Sequence, residues 1–485
     1  MRRLLLGLLL AVAVLAGVVL ARTVTTQSVQ QAVPAAVKVT IDDRAAAQHL
    51  AAVIRVATVS DPTVRDPASF AALRAALQQL YPATFGKLEL EALGDALLLT
   101  WQGSDPALPP VLLLAHQDVV PVEAGTQSAW KHAPFAGDVA EGFVWGRGAM
   151  DDKGSLVAIL EAVELLVKAG HAPGRTVLLG FGHDEEVAGT GAAAIATRLT
   201  ERGQRPLFVL DEGMAVTRGI VPGLSRDVAL LGVAEKGFLT VELSASTQGG
   251  HSSMPPAESA IGKVARAVVK LETTPTPASL DGTAGMFLDA VGPEMSFGLK
   301  LVMANRWLLS PLILRIYDGK SSTRAVVRTT VAPTMLRAGV KDNVLAREAK
   351  AVVNFRIRPG ETKDDVLAWT RRTIGDEQVT VTESTTSIAS NPSPVTRVDA
   401  AGYRRVERTL RSVFPEAVVA PGLVLGATDS RHFSGVSDSV IRFGPMVLEQ
   451  ADLGRIHGVD ERVSVANLGE MVRFYRQLLV DADAP

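Results

Sequence analysis

The chain has 485 residues, 47% of them hydrophobic, enough to bury the cores of two or three domains. Its 49 basic and 51 acidic residues leave a net charge of -2, which gives no electrostatic case for nucleic acid or another polyanion as partner. With no cysteine there are no disulfides and no thiolate zinc sites, so any metal has to be held by His, Asp and Glu.

Met1-Arg2-Arg3 precedes an uninterrupted apolar run from Leu4 to Ala21, the pattern of a targeting segment. Val19-Leu20-Ala21 offers a small-residue cleavage site, yet the run also has about the 17 to 25 residues that span a bilayer. Cleaved secretion and a retained membrane anchor both place the folded part outside the cytoplasm. Residues 22–39 are polar and Gln/Thr-rich and read as a tether. Residues 41–80 carry helical spacing, and 88–90 and 96–100 read as strands.

Residues 111–115 have the length and Val/Leu content of a buried strand, and they end at His116-Gln117-Asp118. An irregular loop with Trp130, Phe135 and Trp145 leads to a Gly-rich stretch, Gly146 to Gly154, that carries Asp151 and Asp152. A helix follows with one apolar face (Leu156, Ile159, Leu160, Val163, Leu166, Val167) and stops at Gly170. Strand 176–181 runs into His183-Asp184-Glu185-Glu186, an Ala-rich helix covers 190–202, and strand 207–210 ends in Asp211-Glu212. This alternation predicts an α/β domain, a mostly parallel sheet with helices on both faces.

The pattern then changes. Residues 237–246 alternate as a strand with one face buried. Gly249-Gly250-His251-Ser252-Ser253, a helix at 261–271, strands at 326–331 and 349–357, a helix at 363–374 and a strand at 378–383 follow. That order predicts an inserted α+β, ferredoxin-like domain over 234–387, between two parts of the first domain at 40–233 and 388–485. Residues 286–317 are apolar and read as a covering or partner-contact segment. A helix at 402–414, a strand at 440–443 and a closing helix at 465–479 complete the chain.

The charged groups collect where strands stop, and the carboxyl ends of strands in an open parallel sheet are where ligands bind. His116, Asp118, Asp151, Glu185, Glu186, Asp211 and the distant His457 are imidazole and hard oxygen groups suited to zinc. Any one alone is an ordinary polar residue at a strand end. Together, carboxylates crowded without a cation would repel one another, and two divalent ions would neutralise them. Asp118, two residues after His116, is placed to fix the imidazole. Of the adjacent pair Glu185 and Glu186, one can ligate a metal while the other faces water as general base. His183 and Asp184 read as structural, and Asp152 as an acid favoured at a helix start.

These motifs resemble the zinc-dependent family of aminoacylases, carboxypeptidase S, glutamate carboxypeptidase and carnosinase. The resemblance covers nearly the whole chain after the tether. It rests on His116-Gln117-Asp118, Gly146 to Gly154, Asp184-Glu185-Glu186, Leu210-Asp211-Glu212-Gly213, Gly249-Gly250-His251-Ser252 and Ile456-His457-Gly458-Val459-Asp460-Glu461-Arg462. Thr428-Asp429-Ser430-Arg431 and the His457 segment are most similar to the aminoacylase and carboxypeptidase S branch. The resemblance implies two Zn2+ per subunit, with Asp151 bridging, His116 and Asp211 on one ion, and Glu186 and His457 on the other. It implies Glu185 as base and Asp118 as the group orienting His116. The chemistry implied is hydrolysis of the amide bond of an N-acyl amino acid or short peptide that keeps a free carboxylate. Asn343 and Arg356 match positions that hold that carboxylate in relatives, with Arg431 a second candidate and Arg358 on the same strand face as Arg356. His251 matches a histidine that reaches from one subunit's lid into the other's active site to steady the oxyanion, which implies a homodimer.

A rival reading is a dinucleotide-binding protein, because Gly189-Thr190-Gly191-Ala192-Ala193-Ala194 fits G-x-G-x-x-A. Against it, the glycines do not follow the strand directly. Three acids in residues 183–188 intervene and would repel a pyrophosphate.

Overall fold

A computed structural model describes residues 1–61, 66–385 and 389–483. The expected boundary at 387/388, where the inserted domain gives way to the first, lies outside these residues. Strands Val111–His116 and Val177–Gly182 are buried along their whole length, as apolar runs sandwiched between helices must be. They pair in parallel, and Val209–Asp211 lies parallel on the other side of Val111–His116. Among the described residues these three sit within a ten-stranded mixed sheet. It is parallel through the centre and antiparallel at the edge formed by Ala96–Trp101 and Glu89–Leu93. One sheet face (Leu113, Leu179, Leu210) packs on helices Lys153–Lys168 and Val465–Asp481. The other face (Leu112, Leu178, Val209) packs on helix Thr190–Glu201 through Ile195 and Leu199.

Two strands of this sheet lack any alternation in sequence. Val228–Glu235 and Val418–Val424 pair in parallel and are buried almost throughout. Pro421 lies inside the second, which among the described residues pairs with Val228–Glu235 alone and so has a flank where proline costs no ladder bond.

The second, smaller sheet is antiparallel, in the order Thr330–Ala338, Glu348–Ile357, Gly237–Ser246, Thr380–Glu383. Helices Ala260–Thr273 and Lys363–Ile374 cover one face, around a separate core of Leu239, Val241, Val264, Val353 and Phe355. Thr362 and Asp365 form a reciprocal capping box that starts the second helix. Residues 326–331, expected as one strand, instead end helix Ser321–Val327 and begin strand Thr330–Ala338. A short apolar run does not by itself distinguish the two.

The apolar start of the chain is a single helix, Arg2–Thr25, about 36 Å long at 1.5 Å per residue. It is long and apolar enough to cross a membrane. The apolar segment at 286–317 forms three helices, Thr283–Val291, Phe297–Ala304 and Arg306–Tyr317.

Candidate metal centre and active site

The centre lies at the carboxyl ends of the parallel strands. His116 is the last residue of its strand, Glu185 and Glu186 follow Val177–Gly182, and Glu212 follows Val209–Asp211. Asp151 stands in the turn before helix Lys153–Lys168, and its peptide bond to Asp152 is cis. The Asp151 carboxylate lies between two imidazoles: Oδ1 is 2.9 Å from His116 Nε2, and Oδ2 is 3.0 Å from His457 Nε2. His457 Nε2 is also 3.1 Å from Glu186, and His116 Nε2 is 3.6 Å from Glu212. Ligand-type atoms of His116, Asp151 and Glu186 lie within 4.8 Å of one another, as do those of His116, Glu185 and Glu212.

His116 is oriented by Asp118 from its far side. Nδ1 sits 3.0 Å from the Asp118 carbonyl and 3.2 Å from its carboxylate. That carboxylate also accepts the amide hydrogens of Glu185 and Glu186, so one buried acid holds two loops in register. A main-chain turn and a side chain both enforce the same ring orientation.

The electrostatics describe a site built for cations. Burial pushes the Glu185 and Glu212 carboxyls well up, and neighbouring acids push them further. Hydrogen bonds donated to Asp151 and Glu186 lift His457 to about 10. Burial depresses His116, but Asp118, Asp151 and Glu212 outweigh it and pull its pKa well above the ordinary value. Divalent cations would balance the same carboxylates and need the two rings neutral for ligation. The donor set fits such ions. Among the described residues Glu186 Oε1 is buried without a hydrogen-bond partner, and with no cysteine every donor is imidazole or carboxylate, as zinc accepts.

Asp211 departs from the expectation. It ends its strand buried, and its carboxylate accepts the Ser430 amide at 2.6 Å instead of turning to His116. Glu212, one residue further, takes the place against His116. Behind Asp211, Glu235 accepts from Arg442, Thr428 and Ser430 in a buried network that holds Ser430 in position. In sequence Glu212 follows directly on the strand end, yet nothing local sets it apart from Asp211 as the ligand. Arg147 and Glu461 likewise have no role legible in sequence. Arg147 donates to Glu461 at 2.6 Å and to the carbonyls of His457 and Gly458. The other oxygen of Glu461 accepts from Met150 and Asp151. This clamp holds His457 at a φ of 60°, which few non-glycine residues adopt.

The remaining candidates lie elsewhere. His251 is exposed on a two-stranded ribbon, where its partner strand, Val344–Leu345, follows directly after Asn343. The Ser252 amide donates to the Asn343 carbonyl, so His251 and Asn343 are neighbours. Arg356 stacks over Phe238 at 4.8 Å and makes no ion pair among the described residues. Arg358 on the same face is taken by Glu361 at 2.9 Å. Arg431 donates to the Ala188 carbonyl and braces the loop after Glu186. Among the described residues none of His251, Asn343 and Arg356 bonds to the carboxylate cluster. Asp184 accepts from the Thr190 and Gly191 amides, so the helix N-terminus that a dinucleotide would need is already filled by an acid.

Comparison with known proteins extends the picture. The sequence profile described as peptidase family M20/M25/M40 matches residues 112–481. The N-fatty-acyl-amino acid synthase/hydrolase PM20D1 of Xenopus tropicalis is 42% identical, over 84% of this chain and 80% of its own length. A probable carboxypeptidase S-like protein of Dictyostelium discoideum is 38% identical over 92% and 86%. Among solved structures, the M20 family metallo-carboxypeptidase Sso-CP2 of Sulfolobus solfataricus superposes with a TM-score of 0.66. That match covers 92% of this chain and 100% of the other at 17% identity, so it speaks for the fold.

Proposed function

Because the chain belongs to peptidase family M20/M25/M40, and is therefore a hydrolytic enzyme, we propose that it cleaves the amide bond of N-acyl amino acids bearing a free carboxylate, using two zinc ions. The observation that carries this reading is the Asp151 carboxylate, with one oxygen toward each of two imidazoles. His116, Asp151 and Glu212 would hold one ion, and Asp151, Glu186 and His457 the other. When bound, such ions polarise a carbonyl and lower the pKa of water.

The chain's own groups supply the rest. Glu185 accepts the proton of the attacking water and passes it to the leaving amine nitrogen as the amide C–N bond breaks. Its carboxylate lies within 4.8 Å of the ligand-type atoms of His116 and Glu212. Arg356 lies half-buried without an acidic partner among the described residues, and it is the guanidinium free to take the substrate carboxylate, while Asn343, beside His251, would reach that carboxylate from the partner subunit. Arg358 is committed to Glu361, and Arg431 to the loop after Glu186.

His251 acts in trans in this proposal. It is exposed beside Asn343, and the outer edge of strand Thr330–Ala338 is unpaired in one copy, with Met335 and Leu336 exposed. A second copy on this lid brings His251 and Asn343 to the partner's centre in a homodimer. The apolar helix Arg2–Thr25 supports a location of the folded part outside the cytoplasm, as a cleaved signal or a retained anchor. A hydrophobic acyl group is favoured by the apolar helices at 286–317 and by the fatty-acyl substrates that the name of the Xenopus relative records.

The test is a panel of long-chain N-acyl amino acids and dipeptides, each run with its carboxyl-amidated counterpart. Hydrolysis should be confined to the free carboxylates and strongest for long acyl chains. Equal turnover of the amidated compounds would contradict the assignment.

A further inference from the structure

Helices Phe297–Ala304 and Arg306–Tyr317 meet at a bend of 111°. Their apolar side chains mostly do not enter a core. Phe297 is 58% exposed, Trp307 55%, Leu312 49% and Ile316 62%, while Ile313 alone of the longer helix is buried. A soluble domain seldom leaves so many large apolar groups in water on one element. The pair carries Lys300, Arg306 and Arg315 and no acid. At about 12 and 18 Å, neither helix reaches across the roughly 30 Å of a bilayer core.

Their position gives them a neighbour. Asn305, at the bend, is fully buried against the N-terminal helix. Its amide donates to the Val19 carbonyl, to Thr23 Oγ1 and to Leu301 of its own element. Arg22 donates back to the Ala304 carbonyl. The docked stretch, Val19 to Thr23, is where the apolar run of the N-terminal helix ends. If that helix spans with Arg2 and Arg3 on the inner side, this junction falls at the outer boundary of the hydrocarbon. There a bent apolar hairpin with Trp307, Lys300 and Arg315 lies flat in the interface, as amphipathic membrane-surface segments do, while Arg306 is paired with Asp289.

We propose that the anchor helix and the bent pair Phe297–Tyr317 form one membrane-embedded unit, with the pair buried in the outer interface of an anionic bilayer. A substrate with a fatty chain would then reach the enzyme from the lipid phase. The proposal stands on exposure and docking and does not depend on which bond the enzyme cuts.

The absence of cysteine makes the test direct. Leu312→Cys, Ile316→Cys and Val340→Cys variants of the full chain are spin-labelled and reconstituted into nanodiscs of phosphatidylcholine and phosphatidylglycerol. Val340, exposed on the smaller domain, is the aqueous reference. Relaxation by oxygen, which concentrates in lipid, is compared with relaxation by a water-soluble nickel chelate. Labels at 312 and 316 should show an oxygen-to-nickel ratio several-fold above that at 340. Ratios equal to the reference overturn the proposal. So does protection from both relaxants, which would mean that a protein surface, such as a second copy of this chain, covers the face.

Discussion

Glu185 and Glu186 are neighbours in sequence with different surroundings. Glu186 reaches His457 and keeps a buried unpaired oxygen for an ion, while Glu185 is raised by burial and by Asp429, Asp151 and Glu186. Glu185→Gln should therefore keep its metal and lose about 10²- to 10⁴-fold in kcat, the usual contribution of a positioned base. Near-normal turnover would remove Glu185 from that role. The pair Asp211 and Glu212 gives a sharper test. Glu212→Ala should lose the ion held with His116, read by elemental analysis, whereas Asp211→Ala should lower thermal stability and keep the metal. The opposite pattern would return the ligand role to Asp211. Arg356→Ala should raise KM about 10-fold or more for free-carboxyl substrates and leave amidated ones unchanged. The strand-end acids are legible in sequence because apolar runs visibly stop there. Which of two adjacent acids turns inward is not, since Ser430, which captures Asp211, lies 219 residues away.

At the level of elements, the turn carrying Asp151 and the loop carrying His457 are joined by Arg147 and Glu461 across 314 residues. Both side chains are buried, and such pairs cost a great deal when one member is removed, because the other charge stays uncompensated. Glu461→Ala should lower unfolding stability by about 3–5 kcal/mol, read by urea denaturation. It should also weaken metal retention, because His457 loses its brace. A change below about 1 kcal/mol, within the range of exposed pairs, would show that the clamp does not carry the loop. Helix Lys363–Ile374 and the alternating strand Gly237–Ser246 were legible because one face is buried and the period shows. Val228–Glu235 and Val418–Val424 were not, because burial on both faces erases alternation. The clamp left no local signal at all, since its two halves meet only in the folded chain.

Over the whole molecule, the groups that could hold metal lie together within one chain while His251 and Asn343 stand apart on the smaller domain. A homodimer with shared sites predicts complementation. His251→Ala and Glu185→Gln, each nearly inactive, are mixed under conditions of subunit exchange. Each heterodimer then holds one intact site, and roughly a quarter of wild-type activity should return. Confirmed exchange without recovered activity would place His251 outside the partner's site. The two-domain plan was legible from the switch between strand–helix alternation and an antiparallel pattern. The bent apolar pair at Phe297–Tyr317 was visible only as an apolar stretch, because its docking on the N-terminal helix joins residues 286 apart.

The central claim is that one carboxylate, Asp151, holds two metal ions together. Elemental analysis of purified wild type and Asp151→Ala, both checked for an intact fold by circular dichroism, tests it most directly. Wild type should carry two equivalents of zinc and the variant close to none, because both ions lose the ligand they share. Retention of both equivalents by a folded Asp151→Ala protein would contradict the account.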